Sequence, residues 1–318
     1  MTRPFSPGKL DDLMAPLPAD RPFTAAQADE CGVGDGRRRL LLERGRMERR
    51  LPGVFHVAGL IDSLELRLQC LELVVPDDCV VTDRTAAWVW VGDRALAPDE
   101  HLSTPLVSVF APPGRRLRNG LTTSGERMLL AKDVVEVGGL RLTTPLRTAC
   151  DLGRLLHPDQ AFAAMDSLAT LRVFDVDELV EELGRFKGYR GIVQARTWAP
   201  FVDPDSDSQF ETIGRRRWLT AGLPRPTCQC PVEAPYDGLY HVDFGLPDDR
   251  FGGEYFGEEF HGEDEEPHDD ARLVWLRGPQ RWFIVVARKH NVVGPHQDLE
   301  QTFRIEWERH RARSRLIA

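Results

Sequence analysis

Lysine is scarce in this sequence. Only Lys9, Lys132, Lys187 and Lys289 stand among 41 basic residues, so almost every positive charge is an arginine. Arginine forks match phosphate bidentately, but the same bias can reflect the base composition of the coding DNA, so it selects no function alone. Long apolar runs are missing too: none approaches the ~20 residues a bilayer-spanning helix needs, and no membrane partner is expected. The opening MTRPFSPGKL lacks the apolar core of a secretory leader. The six cysteines (Cys31, Cys70, Cys79, Cys150, Cys228, Cys230) are scattered, so the expected setting is a reducing cytoplasm without a disulfide framework. Cys228 and Cys230 form a C-x-C with no second pair, which points to strand packing rather than zinc. There is no phosphate-cradling glycine loop, no nucleophile elbow and no internal repeat.

At 318 residues the chain is too long for one ordinary core, and two or three domains are expected. Its net charge of -9 excludes a protein that coats nucleic acid over its whole surface. The charges are, however, segregated. Residues 37–50 hold Arg37, Arg38, Arg39, Arg44, Arg46, Arg49 and Arg50 against Glu43 and Glu48, a local excess of five positive charges. Residues 254–270 hold nine carboxylates and no lysine or arginine. The first segment suits phosphate; the second suits a cation or is a solvated face.

In FTAAQADECGVGDGRRRLLLERGRMERRLPGVFHV, Thr24 is placed as an N-cap, three glycines supply a turn after Cys31, a helix resumes over 37–43, and residues 47–57 read as a strand pair. That order predicts a winged helix-turn-helix. Its second helix would be the recognition helix, with Arg37, Arg38 and Arg39 facing a groove or phosphates and Arg44 and Arg46 nearby; a solvated helix face is the alternative. Further along, a helix is expected over 63–73, another after Thr82 or Asp83, and a strand in STPLVSVF. VVEVGGLRLTT reads as a hairpin turning at Gly138 and Gly139, where both turn positions tolerate positive φ. A helix entered at TPLRTACDLGRLL sets Arg147 four residues before Asp151, as for an i,i+4 pair. Residues 158–200 predict two or three helices ending in APFVDPDSD.

Ser208 and Glu211 form a capping box opening a helix to about Ala221. Next, YHVDFGLPDDRFGGEYFG reads as two strands around Pro247, Asp248 and Asp249. A turn centred between Asp248 and Asp249 sets Asp243 opposite Glu254, two like charges that destabilise a sheet unless something neutralises them. With Glu211 they make a minimal set for Mg2+, Asp243 and Glu254 being its direct ligands; a solvated face is the other reading. His261, beyond that strand, is a candidate acid or base. RLVWLR predicts a helix and RWFIVVARKH a buried strand.

Two resemblances follow from these residues. Residues 205–292, in S-x-x-E at Ser208 to Glu211, AGLPRP, VDF, GGEYFGEEFH, D-x-x-R at Asp269 to Arg272 and IVVARKHNV, resemble the Vsr-type branch of the PD-(D/E)XK restriction-endonuclease-like fold. That resemblance implies a Mg2+-dependent DNA endonuclease with Glu211, Asp243, Glu254 and His261 as catalytic residues. One position departs from the family: Phe256 stands where an aspartate is usual, and an apolar ring there would crowd the acids. The front segments resemble actinobacterial proteins related to AbiEi-type antitoxins, which implies binding to double-stranded DNA and a cognate toxin as partner. The expected fold is thus α+β and multidomain: a winged helix-turn-helix over 1–58, a small α/β domain over 59–157, a helical connector over 158–204 and an endonuclease-like α/β domain over 205–318. The expected function is a DNA-binding regulator of antitoxin type with a degenerate endonuclease-like domain; an active endonuclease and a protein-interaction module are the alternatives.

Overall fold

The computed structural model describes residues 7–95, 106–112, 117, 122–125, 127–257, 266–295 and 297–317. Among them, thirteen α-helices and twelve strands in three sheets make a mixed α/β protein. The chain divides into two compact units, Met1–Thr148 and Ala149–Ala318, the division falling within the helix Pro145–Leu155. No helix among the described residues is long and apolar enough to cross a membrane.

The first unit opens with α1 (Pro7–Met14), β1 (Phe23–Thr24), α2 (Ala25–Glu30), α3 (Asp35–Glu43), β2 (Met47–Leu51) and β3 (Val54–Val57). The helix, helix, hairpin order read from the sequence is present, with the strands in the order β1-β3-β2. Thr24 caps α2 through a reciprocal pair with Gln27: the Thr24 hydroxyl accepts from the Gln27 amide at 3.2 Å, and the Thr24 amide donates to Gln27 Oε1 at 2.7 Å. Leu10, Phe23, Ala28, Val33, Leu41, Met47 and Phe55 form the core beneath. Arg38 corrects the expectation of three groove-facing arginines at the start of α3. It is only 8% exposed, pairs with Asp29 across the turn, and donates to the carbonyls of Ala25 (3.2 Å) and Val33 (2.9 Å). Its charge locks α3 onto α2.

The same unit continues with α4 (Leu64–Glu72), β4 (Val80–Val81), α5 (Asp83–Val91), β5 (Val107–Phe110), β6 (Thr122–Gly125), β7 (Val134–Val137), β8 (Leu140–Thr143) and α6 (Pro145–Leu155). Five strands assemble in the order β6-β5-β4-β8-β7. The β7–β8 hairpin turns at Gly138 and Gly139, whose φ values of 56° and 79° explain why glycine stands at both. The expected Arg147–Asp151 pair is not made. Arg147 instead bonds Asp133 at 2.7 Å, and Asp151 bonds Arg154. Burial selects partners that close a dry pocket, where an exposed i,i+4 pair would add only a few tenths of a kcal/mol.

The second unit holds α7 (Pro158–Ala169), α8 (Val176–Glu182), α9 (Ile192–Trp198), α10 (Gln209–Thr220), β9 (Thr227–Glu233), β10 (Leu239–Leu246), β11 (Phe251–Phe256), α11 (Glu266–Arg277), β12 (Phe283–Arg288), α12 (Lys289–Val292) and α13 (Leu299–Ile317). The sheet order is β12-β11-β10-β9, with β11 and β12 parallel across the α11 crossover. On one face Ile213, Trp218, Phe244, Phe251, Ala287 and Phe303 pack between the sheet and helices α10 and α13. Cys230, Val242, Leu273, Leu276, Trp282 and Ile284 form the core of the other face, under α11. Gly253 has a steric reason: a Cβ there would lie 2.5 Å from the Phe244 ring.

Helix α10 is tied to α7 by charge. Asp166, 1% exposed, pairs with Arg215 and accepts from the Thr212 hydroxyl (2.8 Å) and the Asp203 amide (3.0 Å), while Arg215 also reaches the Phe201 carbonyl and lies over the Phe162 ring at 4.5 Å. One turn away, Asp159 accepts from both terminal nitrogens of Arg217 (2.7 and 2.6 Å) and from Arg216 Nε (2.8 Å). Burial alone would raise the Asp159 carboxyl, but the Arg217 hydrogen bond and the Arg216 and Arg217 charges outweigh it and hold it below the usual carboxylate range. Breaking a buried, hydrogen-bonded pair costs about 3–5 kcal/mol. Asp166→Asn is therefore expected to lower the unfolding free energy by roughly 3 kcal/mol in urea titrations, whereas Asp205→Asn, at the exposed pair with Arg172, changes it by less than about 1 kcal/mol. Because the folded pKa of Asp159 is depressed, its stabilisation is present above its unfolded pKa and fades as pH falls through the folded value. Asp159→Asn should accordingly flatten the acid limb of stability against pH measured by circular dichroism.

Candidate functional site

The site grows from the start of α10. The Ser208 hydroxyl accepts from the Glu211 amide at 3.2 Å, as the capping-box reading requires. The return bond differs: the Glu211 carboxylate accepts from the Asp207 amide (3.2 Å) and from Gln229 Nε2 of β9 (3.1 Å). It is thereby turned toward the sheet. Gln229 has φ of 48°, and the β9–β10 pairing passes from Val242↔Cys230 to Phe244↔Cys228 without a pair at Asp243. This irregularity puts Val242 in the α11-side core and Phe244 in the α10-side core, although strict alternation would give them one face.

Strands β10 and β11 pair as Phe244↔Gly253, Gly245↔Gly252 and Leu246↔Phe251. Continued by one step, that register sets Asp243 opposite Glu254, as the turn position implied. The ladder stops at this point. The Tyr255 amide donates to the Asp243 carboxylate at 2.7 Å, so a side chain takes the bond that would continue the pairing. Into the opening comes Arg272 of α11, whose Nη2 donates to the His241 carbonyl at 2.6 Å and to Glu254 Oε1 at 2.9 Å. Glu254 is fully buried. Asp207, Glu211, Gln229, His241, Asp243 and Arg272 line an open cleft of about 450 Å3 here.

The electrostatics follow from this crowding. Burial, then the charges of Glu211 and Glu254, push the Asp243 carboxyl well above its ordinary range, against the Tyr255 amide and the Arg272 charge. Burial likewise raises Glu211. The expected neutralising cation is present as a protein side chain, since Arg272 pairs with Glu254. The oxygen donors are chemically suited to Mg2+, but Glu254 is engaged by the guanidinium, and among the described residues no three His, Cys, Asp or Glu side chains gather closely enough to hold a metal ion. As arranged, the residues do not fit a divalent ion. Phe256 behaves differently from the expectation that it crowds the acids: its ring packs in the α11-side apolar cluster, 5.9 Å from the Arg288 guanidinium. His261 lies outside the described residues.

The candidate DNA-contacting arginines are placed as follows. Arg37, Arg39, Arg44 and Arg46 are exposed. Arg37 donates to the Gly32 carbonyl at 2.6 Å, Arg39 pairs with Asp35 at 3.5 Å, and Arg46 pairs with Asp11. Asp11, Asp29 and Asp35 thus offset much of the positive excess. All six cysteines are free; burial pushes the Cys70 thiol up to about 12 and Cys230 up to about 11. The residues that sequence reasoning missed are Arg272 and Gln229. Arg272 carried a signal, the D-x-x-R spacing within the endonuclease-like pattern, whereas Gln229 carried none.

Fold and site together define a two-unit mixed α/β protein with an acidic, arginine-bridged cleft in its second unit. No family model matches the chain. It is 30% identical over 220 residues to the uncharacterized protein Rv2248 of Mycobacterium tuberculosis (strain ATCC 25618 / H37Rv), and equally to the uncharacterized protein MT2308 of strain CDC 1551 / Oshkosh, over 69% of this chain and 78% of each relative. The chain belongs to the family of these mycobacterial proteins.

Because its folded pKa is raised, Asp243 binds protons more readily in the folded than in the unfolded state, so its ionisation removes stability as pH rises from the unfolded pKa through the folded one. Asp243→Asn keeps an oxygen acceptor for the Tyr255 amide and removes the charge. In metal-free buffer it should leave stability near the acid end little changed and raise it at neutral pH, as read by melting temperature at a series of pH values.

Proposed function

We propose that the protein is a double-stranded-DNA-binding regulator of antitoxin type, with a winged helix-turn-helix at its front and an endonuclease-like second unit. The observation that carries this reading is the set of exposed arginines, Arg37, Arg39, Arg44 and Arg46, on and just after α3, in the helix, helix, hairpin order. Their ion pairs are exposed, and such pairs are worth about 0–1 kcal/mol. Exchanging a surface carboxylate for a DNA phosphate is therefore cheap, and each exchange releases condensed counterions from the DNA. Arg38 has a different part in this reading, since it fixes the angle at which α3 leaves α2. A cognate toxin is the expected protein partner.

A second reading, a Mg2+-dependent DNA endonuclease, is favoured by one specific observation: α10, β10 and β11 bring Glu211, Asp243 and Glu254 to one place. On that reading Glu211 and Asp243 face the cleft, Gln229 orients Glu211, and the Tyr255 amide orients Asp243.

The test separates contact from fold. Arg37→Glu, Arg39→Glu and Arg44→Glu together should abolish or strongly weaken binding to duplex DNA in an anisotropy assay at fixed salt, with the melting temperature nearly unchanged. The wild-type affinity should fall steeply with salt, at a log–log slope of roughly -0.9 per phosphate contacted. Arg38→Ala should do the reverse of the triple variant and lower the melting temperature first. Undiminished binding by a folded triple variant overturns the DNA-binding reading.

A further inference from the structure

We propose that Arg272 is the resident cation of the carboxylate cleft: its guanidinium neutralises Glu254 where a divalent ion would otherwise do so, and an ion gains Glu254 only when Arg272 withdraws. This inference rests on the second reading above, in which the cleft is built from cation-binding chemistry, and it concerns what governs entry to that cleft.

Three features carry it. Arg272 bridges the two strands where their ladder ends, donating from one nitrogen to the His241 carbonyl on β10 and to Glu254 Oε1 on β11. A guanidinium held from both sides is placed by the fold, unlike a surface arginine that happens to meet an acid. The acid it holds is fully buried, with the side chain of Glu254 1% exposed against 22% for Arg272. A buried carboxylate of this kind needs a positive partner at all times, so metal and guanidinium are alternatives for one negative charge. The third feature is the stretch of β10 that turns away from β11 after Phe244, leaving Asp243 and Glu211 on the cleft wall beside Arg272. Withdrawal of the guanidinium would open Glu254 to the same cleft. The side chain has somewhere to go, because it already lines the open cleft, and a phosphate oxygen of a nucleic-acid backbone is the chemistry that would draw an arginine fork outward.

The experiment uses the full-length protein and Mn2+ alone, with free Mn2+ followed by electron paramagnetic resonance. Wild type, Arg272→Met, Arg272→Lys and the double variant Arg272→Met/Glu254→Gln are compared, each also checked by circular dichroism and melting temperature. We expect Arg272→Met to bind Mn2+ roughly tenfold more tightly than wild type, the range typical of a coupling between two competing occupants, and to gain more in melting temperature on Mn2+ addition. The double variant should recover the metal-free melting temperature that Arg272→Met loses, because it removes the stranded charge, and should lose the added Mn2+ affinity. If Arg272→Met does not fold, Arg272→Lys carries the test: its single ammonium cannot hold both partners with fork geometry, and a smaller gain in Mn2+ affinity is expected. Equal Mn2+ affinity in wild type and the arginine variants overturns the proposal and leaves the cation-binding reading of the cleft standing. No Mn2+ binding in any folded variant overturns both.

Discussion

The second unit depends on one buried anion. Asp166 sits on α7 with almost no water around it, and the Arg215 guanidinium, the Thr212 hydroxyl and the Asp203 amide all converge on it. Three of these groups bear on α10 or the loop before it, so the position of α10 is set by a charge that has nowhere else to find a partner. The Asp159 clamp to Arg216 and Arg217 repeats the device one turn away and fixes the rotation of the helix as well as its place. That rotation decides that Ile213 and Trp218 enter the core while Glu211 faces β9 and β10.

Once α10 is held, the site follows from a fault in the sheet. The left-handed turn of Gln229 and the missing pair at Asp243 let β10 part from β11, and the Asp243 side chain takes over the Tyr255 amide. The opening exposes polar groups that a continuous ladder would have paired, and Arg272 meets two of them. Acids, amide and guanidinium are thus consequences of one local divergence. The first unit shows a parallel economy of charge: Arg38 in the dense arginine run is spent on holding α2 to α3, and Asp11, Asp29 and Asp35 approach the arginines from elsewhere in the chain.

Much of the architecture was legible before the fold was known. Caps at Thr24, Ser63 and Ser208 mark helix starts because a hydroxyl accepting from an amide three residues on is a strictly local event. The Gly138-Gly139 hairpin and the turn at Pro247 to Asp249 are local for the same reason, and they set the registers that follow. The long helix α13 escaped the reading, as did the short strands β4 and β6, which gain their pairing from neighbours far along the chain. For the site, the opposition of Asp243 and Glu254 came from counting residues around a turn. Its neutralisation by Arg272 could not be counted, because α11 reaches β11 only through the packing of Leu273 and Leu276 under the sheet.

The amino-acid sequence by itself therefore determined the elements whose causes lie within a few residues: helix starts, tight turns, the registers of hairpins and the acids that face one another across them. Tertiary structure alone decided which charges meet. It buried Arg38 against Asp29, gave Arg147 to Asp133 instead of Asp151, sent the Phe256 ring into an apolar cluster, and delivered Arg272 to Glu254. The physical reason is desolvation. A charge in water is nearly indifferent to its neighbours, whereas a charge removed from water must take whatever partner the packing of distant elements presents.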